Sequence, residues 1–221
     1  MKDEFDNIMQ VILRQTKENE VITGGMILSS EVMEKFNIHQ NKDGSFVISR
    51  EKRIELAMSL VRRGQDIAEV INLLTWKDFE GFIANILTEH GFRCIESFRR
   101  RGNALIKGME IDVIGVRGQN ILSVDAKMWG LRRGKLSAIR LAAEKQKERT
   151  QRLFSQQEAL MKRLPIVATK EYVAYPIIVT WLIEEVELHE GVPVVPVFKF
   201  NQFVLDFDQY QDIIVSFRGL F

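Results

Sequence analysis

The stretch EIDVIGVRGQNILSVDAKMWG, residues 110–130, decides the fold predicted for this chain. It consists of two apolar runs on either side of a Gly-Gln pair, and a glycine in the first position of a two-residue loop is typical of a type II′ β-turn. The stretch is therefore predicted to form a β-hairpin with Gly118 and Gln119 at its tip. In that register, Asp112 on the first strand faces Asp125 on the second.

The hairpin brings charged side chains together on one face. Because side chains alternate along a strand, Lys127 shares the face of Asp125 and Asp112, and the same register places Glu110 opposite Lys127. Opposed β-carbons lie roughly 4.5 to 5.5 Å apart, so the two aspartates repel each other unless a cation compensates them. Lys127 supplies one charge, and carboxylate oxygens at this spacing suit a hard divalent ion such as Mg²⁺ or Mn²⁺. Each residue taken alone also fits a structural salt bridge or a strand end.

A third carboxylate, Glu80, lies in the helical stretch WKDFEGFIANILTEHGF, residues 76–92. Thr75 and Asp78 are predicted to cap this helix at its start. Glu80 stands at the border of the apolar stripe, so it points toward the element on which the helix packs. If that element is the hairpin, three carboxylates and one lysine converge on one pocket. Otherwise Glu80 is a solvated residue at the edge of the stripe.

The chain of 221 residues is long enough for a domain with a smaller appendage. Residues 1–74 are predicted to form a helical N-terminal domain, either of helix-turn-helix or winged-helix type or a plain scaffold, and residues 75–221 a second domain. The second domain is predicted to follow the order α, β, β, β, α, β, β, α, which suits an α/β fold with a mixed sheet flanked by helices. Its long helix covers residues 135–163, its last strand VPVVPVFKF, and its last helix QFVLDFDQY with Asn201 as the cap.

The composition favours a soluble protein of the cytoplasm. The single cysteine, Cys94, cannot form an internal disulfide, and the longest apolar runs, such as PIIVTWLI, have the length of strands. No secretory or membrane-spanning segment is recognisable, so no membrane partner is expected.

Glu80 in its helix, Asp112 in EIDVIGV and the run DAK at 125–127 together resemble the core of the PD-(D/E)XK nuclease superfamily, which has the restriction-endonuclease-like fold. Within that superfamily, the likeness is to archaeal proteins of the Holliday-junction-resolvase and methylated-DNA restriction type, and it covers roughly residues 75–200. Two positions depart from the common pattern. No proline precedes Asp112, and the second acid is an aspartate rather than the commoner glutamate.

The resemblance implies a metal-dependent deoxyribonuclease of DNA repair, recombination or restriction. Asp112, Asp125 and the backbone carbonyl of Ala126 would bind Mg²⁺ or Mn²⁺. Glu80 would assist the metal directly or through water, and Lys127 would orient and activate the attacking water. The cut would leave a 5′-phosphate.

Two further residues are candidates for the surroundings of this site. Gln146 interrupts the apolar stripe of the following helix, where a polar side chain sometimes joins the site in related nucleases. Trp129 follows Lys127 by two residues and falls on the same strand face, so it either stacks on a base or packs in the core.

Basic residues bracket the site along the chain, although the net charge is only +1. Between residues 131 and 163 there are ten Lys or Arg and three Glu. Cations of this kind contact phosphates and position a nucleic acid backbone without reading its sequence. The predicted nucleic-acid-binding residues are Arg99, Arg100, Arg101, Arg132, Arg133, Lys135 and Arg140. DNA is therefore the predicted partner, and a homodimer is expected because such nucleases often cut two strands.

Two alternatives stay open. A non-catalytic nucleic-acid-binding or assembly module with the same fold has no need of the complete acidic set that this chain carries. Cleavage of RNA is the other, since some tRNA-splicing enzymes share a related architecture, although those enzymes do not use this acidic metal site.

Overall fold

A computed structural model describes residues 2–17, 21–22, 28, 30–36, 38–102, 108–129, 135–164, 166 and 169–221, with the side chains of 2–4, 35 and 135 left aside. The chain divides into two compact units, Met1–Phe82 and Ile83–Phe221, and each is described by itself. The boundary predicted after residue 74 stays a prediction. None of the helices within the described ranges combines the length and the apolar character that crossing a bilayer requires.

The N-terminal unit is mainly helical, as predicted. A two-stranded antiparallel sheet accompanies the helices, and its second strand lies in the segment NKDGSFVIS, where a turn and a short strand fit the sequence. The elements are α1 Lys2–Gln15, β1 Val21–Ile22, α2 Ser30–Lys35, β2 Phe46–Val47, α3 Arg50–Arg62, α4 Ile67–Asn72 and the first half of α5 Trp76–Glu89.

A buried ion pair organises this unit around the start of α5. The predicted capping box is present, because the Thr75 backbone N–H donates to Asp78 Oδ2 at 2.9 Å and the Asp78 N–H donates to Thr75 Oγ1 at 3.1 Å. The same Asp78 oxygen accepts from Arg53, which also donates to the backbone carbonyls of Leu13 and Leu73. One guanidinium therefore satisfies carbonyls near the ends of α1 and α4 while it neutralises the helix cap.

The C-terminal unit contains the large sheet. Its elements are β3 Arg93–Arg100, β4 Met109–Arg117, β5 Asn120–Lys127, α6 Lys135–Gln151, a 3-10 helix Arg152–Gln156, α7 Gln157–Met161, β6 Glu171–Thr180, β7 Leu188–His189, β8 Val192–Pro196, α8 Val197–Leu205, α9 Phe207–Tyr210 and β9 Phe217–Leu220. Strands run in the order β3-β4-β5-β6-β8-β7, and β9 pairs with β6. The pairs β5–β6 and β6–β8 are parallel, whereas the remaining pairs are antiparallel. The predicted fold class is confirmed: a mixed sheet flanked by helices, consistent with an α/β nuclease-like fold.

The hairpin β4–β5 has the predicted register. Pairs run from Arg117↔Asn120 at the turn to Val113↔Val124, and Gly118 at the tip has φ +60°. A positive φ at this position is what a type II′ turn requires and what glycine adopts without strain.

Helix and strand boundaries differ from the prediction after residue 151. The helix expected over 135–163 is interrupted by the 3-10 helix, which seats the Phe154 ring against Phe221, with ring centroids 5.2 Å apart. A β-carbon at Gly219 of β9 would overlap the Phe154 ring. The tighter helical segment thus lets Phe154 cover the C-terminal strand, which the sequence analysis did not predict.

The second difference lies at Pro196. The strand predicted through VPVVPVFKF ends at Pro196, and α8 begins directly after it, so the cap predicted at Asn201 is wrong. Proline with φ −66° and ψ 142° ends the strand and precedes the first helical turn, where its missing N–H costs nothing. Phe200 and Val204 then lie one helical turn apart and are fully buried.

The only cysteine in the sequence provides a test of the packing of β3. Cys94 pairs with Gly115 of β4, and burial raises the pKa of its thiol from 9.0 to about 11. Below pH 9.0, folded and unfolded chains both keep the proton, but above it the unfolded chain loses its proton first. We therefore expect stability to fall between pH 9.0 and about 11, by about 1.4 kcal/mol per pH unit from this group.

The measurement is urea unfolding across that pH range, with Cys94→Ala as the control for every other group that titrates there. The slope of unfolding free energy against pH should be steeper in the wild type than in the variant. Equal slopes would show that the thiol is not held in its neutral form.

Candidate active site

The two aspartates of the hairpin lie where β4 and β5 leave their shared ladder. Val113↔Val124 is the last pair, so Asp112 and Asp125 are the first residues beyond it. On the other edge of β4, the pairing with β3 is interrupted at Asp112. The residue opposite it on β3 is Ser97, whose φ is +50°. The Asp112 carboxylate turns to the backbone instead, and its Oδ2 accepts from the Ala126 N–H at 2.7 Å. Asp112 is therefore anchored to the strand that carries the second aspartate.

Asp125 lies between two cations. Lys127 Nζ is 2.5 Å from Oδ2, and Arg149 Nη1 donates to Oδ1 at 3.0 Å. The side chain of Asp125 is only 3 % exposed. Its Oδ2 accepts no hydrogen bond from the described residues, so Lys127 holds that oxygen by charge rather than by a directed hydrogen bond. Each carboxylate oxygen thus faces a cation, and the repulsion predicted between the aspartates is offset by Lys127, which was predicted, and by Arg149, which was not.

Gln146 fixes the helix that brings Arg149 to the strand. It is fully buried, and its Nε2 donates to the backbone carbonyl of Ser123 at 2.8 Å and to the Ser123 hydroxyl at 2.9 Å. Ser123 precedes Asp125 by two residues, and Arg149 follows Gln146 by three, so both contacts lie on one strand face and one helix face. The side chain of Gln146 therefore sets the register of α6 on β5. A direct role of Gln146 in the site stays a prediction.

Trp129 packs beside the site. Its ring centroid lies 5.7 Å from Lys127 Nζ, which places the ammonium over the ring. Its side chain also packs against an apolar cluster made of Ile139, Ala142, Ala143, Ile178, Val192 and Val194. These are the contacts of a partly buried packing residue, and stacking of Trp129 on a base stays a prediction.

Two cavities meet at Arg149. The first, here the Asp125 cavity, has a volume of about 270 Å³ and is lined by Asp125, Lys127, Trp129, Ala138, Leu141, Ala142, Lys145 and Arg149. The second, here the basic groove, has a volume of about 480 Å³, and Lys145 and Arg149 line it as well. Its other charged residues are Arg99, Arg100, Arg101, Arg152, Glu110 and Glu148. Six cations against two carboxylates make the groove strongly positive next to the acidic site.

The predicted basic residues divide into three groups. Arg100 and Arg101 are exposed in the basic groove, and Arg99 lines it while pairing with Glu110 at 2.6 Å. The pair Arg99–Glu110 corrects the prediction that Glu110 faces Lys127, because the hairpin ladder ends before those residues and Glu110 pairs with β3. Arg140 is exposed on α6 and lines neither cavity. Arg132, Arg133 and the side chain of Lys135 lie outside the described part of the chain.

Sequence reasoning missed three groove residues, Lys145, Arg149 and Arg152. They belong to the basic stretch that was counted, and their spacing of four and three residues is that of one helix face. That periodicity was the available signal. It did not show which face of α6 turns toward the hairpin.

Glu80 belongs to the N-terminal unit. Its side chain is 4 % exposed and pairs with Lys77 Nζ at 2.9 Å. Its participation in a site with Asp112 and Asp125 stays a prediction.

Comparisons with known proteins give distant likenesses. No protein-family profile matches the chain. A protein of Archaeoglobus fulgidus described as uncharacterized is 29% identical over 140 residues, which are 62% of this chain and 95% of that protein. Protein VC1899 of Vibrio cholerae is similar in structure with a TM-score of 0.38 and 11% identity, over 96% of this chain and 52% of its own. Can2 from Sulfobacillus thermosulfidooxidans, in complex with cyclic tetra-adenylate, has a TM-score of 0.35 and 8% identity, over 94% and 51%. The chain spans about half the length of these two structures. Their TM-scores are too low to support an inference about function, which is therefore drawn from the geometry of the site.

The buried carboxylate of Asp125 should contribute more to stability than an exposed carboxylate of the same hairpin. Asp125→Asn removes two ion pairs and leaves Lys127 and Arg149 facing each other, so we expect a loss of about 1.5 to 3 kcal/mol in the presence of chelator. Glu110→Gln is the matched control, because it makes the same charge change in the same hairpin, where the carboxylate pairs with Arg99 at the surface. Its loss should stay below about 1 kcal/mol. Chemical denaturation of both variants measures the difference, and equal losses would contradict the central place given to Asp125.

Proposed function

We propose that this chain is a metal-dependent nuclease that hydrolyses phosphodiester bonds in DNA, in repair, recombination or restriction. The observation that carries the proposal is the position of Asp125 and Lys127 in a cavity that adjoins the basic groove. A carboxylate that can hold a metal ion and a lysine, next to a surface suited to phosphates, are groups that metal-dependent phosphodiester hydrolysis uses.

The oxygen donors suit a hard divalent ion. Asp112, Asp125 and the carbonyl of Ala126 would hold Mg²⁺ or Mn²⁺, with Glu80 assisting as the resemblance implies. When bound, the ion supplies Lewis acidity and lowers the pKa of a water molecule. The chemistry of the donor set fits such an ion, although Arg149 donates to Oδ1 of Asp125 and Lys127 lies 2.5 Å from Oδ2.

Activation of the water, stabilisation of charge and binding of the nucleic acid backbone would be carried out by side chains of the protein. Lys127 lies beside Asp125 with its side chain 21 % exposed, so its ammonium would orient the attacking water and stabilise negative charge that develops on the phosphate. The cations of the basic groove would hold the backbone on either side of the scissile bond. The product would carry a 5′-phosphate, and a homodimer would cut both strands of a duplex.

A non-catalytic nucleic-acid-binding or assembly module is the second candidate. The observation that favours it is the compensation of Asp125 by Lys127 and Arg149, which is complete without a metal ion. A module that only binds nucleic acid would keep the basic groove and would show no cleavage under any metal condition.

Cleavage should depend on the metal and on Asp125 and Lys127, two of the residues that line the Asp125 cavity. With labelled single strands, duplexes, flaps and junctions, we expect activity in Mg²⁺ or Mn²⁺ and none in chelator. Asp125→Asn and Lys127→Ala should each lower the rate by about 100-fold or more. Lys147→Ala is the control, because Lys147 lies on α6, the helix of Arg149, and pairs with Glu190 rather than with the site.

The proposed site would be wrong if either variant, freed of host nucleases, cleaved at the wild-type rate. Tight binding without cleavage of any of these substrates, in either metal, would favour the non-catalytic module.

DNA affinity should depend on the basic groove. Neutralising Arg100, Arg101 and Arg152 together should weaken binding to unrelated sequences and lower the slope of log affinity against log salt by up to about three. The matched control neutralises Arg93, Lys170 and Arg218, which are exposed and line neither cavity. Fluorescence anisotropy over a salt series gives both slopes. If the two triple variants lost affinity equally, DNA would be bound by net charge and not by the groove.

A further inference from the structure

Arg149 lies between the Asp125 cavity and the basic groove. Its Nη1 donates to Asp125 Oδ1 at 3.0 Å, while the side chain also lines the groove together with Arg100, Arg101 and Arg152. It is 28 % exposed, so the guanidinium is reachable from the groove although its partner Asp125 is buried. The same cation can therefore meet either the carboxylate or an anion that enters the groove.

The two contacts compete for one guanidinium, because a phosphate bound by both of its terminal nitrogens would take Nη1 from Asp125. A divalent ion at Asp125 would repel the guanidinium that already neutralises the carboxylate. Phosphate is a strong, bidentate acceptor for arginine, so a nucleic acid backbone in the groove competes with Asp125 for Arg149. Lys127 does not offer the same exchange, because it lies on the strand of Asp125 and lines the Asp125 cavity only.

We propose that Arg149 couples nucleic acid binding to metal binding: it closes Asp125 to divalent ions in the free protein and moves to a phosphate group when the groove is filled. This proposal rests on the proposed function and adds the regulation of its site. Coupling of this kind is reciprocal, so nucleic acid raises the affinity for the metal by the factor by which the metal raises the affinity for nucleic acid. An idle enzyme would hold its metal weakly, and the substrate would complete the site.

The first experiment titrates the free protein with Mn²⁺ and follows binding by calorimetry. Arg149→Gln should bind Mn²⁺ roughly tenfold or more tightly than the wild type, because the ion no longer displaces a charge-assisted hydrogen bond. Lys145→Gln is the matched control. Lys145 lines both cavities from the same helix and loses the same charge, but it makes no hydrogen bond to Asp125 among the described residues, so Lys145→Gln should raise Mn²⁺ affinity much less than Arg149→Gln does.

The main comparison of the second experiment is made on the wild type, so it does not depend on the folding of a variant. The affinity of the wild type for a short fluorescein-labelled phosphorothioate oligonucleotide, shown on a gel to stay intact, is measured in Mn²⁺ and in chelator. We expect Mn²⁺ to raise that affinity by about fivefold or more. Arg149→Gln should lose most of this increase, and Arg149→Lys, which keeps the charge, should retain part of it. Lys145→Gln should weaken binding equally in both conditions.

The outcomes separate this proposal from the proposed function. If Arg149→Gln and Lys145→Gln raised Mn²⁺ affinity equally, the effect would be one of general charge, and the exchange at Asp125 would be overturned. If the wild type bound the oligonucleotide with the same affinity in Mn²⁺ and in chelator, the coupling would be overturned while binding in the groove stood. If the wild type bound no oligonucleotide in either condition, the proposed function itself would fail.

Discussion

The buried carboxylate of Asp125 is the constraint around which the C-terminal unit is arranged. A carboxylate that is 3 % exposed loses most of its hydration, and burial of this kind is tolerated only when charges or hydrogen bonds replace the water. Here Lys127 comes from the same strand, and Arg149 comes from α6. The contact with Arg149 requires α6 to lie on the face of β5 that carries Asp125, and Gln146 secures that position through Ser123. One charge thus ties the hairpin to the helix that packs on it.

The hairpin and its register were predictable because the signals were local. A Gly-Gln turn sets the pairing of every residue around it, and two apolar runs of matching length leave no other register that buries one face. The cap of α5 was predictable for the same reason, since Thr75 and Asp78 are three residues apart. Alternation along β5 likewise placed Lys127 beside Asp125, as observed.

Arg149 was not predictable, because its contact depends on the packing of two elements that are distant in sequence. The basic stretch offers several cations on every side of α6, and composition does not distinguish the one that meets a strand from those that meet solvent. The predictions for the segments after residue 151 were wrong for a related reason. The local sequence around Phe154 is that of a regular helix, and only the packing of its ring against Phe221 explains the change of helix type. The local sequence around Val197 is that of a strand, and only the helical spacing of Phe200 and Val204 indicates α8. In each case, a tertiary contact overrode a local pattern.

The two cations at Asp125 differ in whether another ion can displace them. Lys127 is fixed by the strand that also carries Asp125, so the pair forms wherever the hairpin forms. Arg149 reaches Asp125 across the space between a helix and a sheet, on a long and partly exposed side chain, and can leave without unfolding either element. A buried acid with only permanent partners would be stable and closed to other ions, whereas one with no partner would destabilise the fold before its ligand arrived. One fixed and one displaceable cation satisfy both demands: the carboxylate is neutralised in the free protein, and it can still exchange a partner when a stronger one binds.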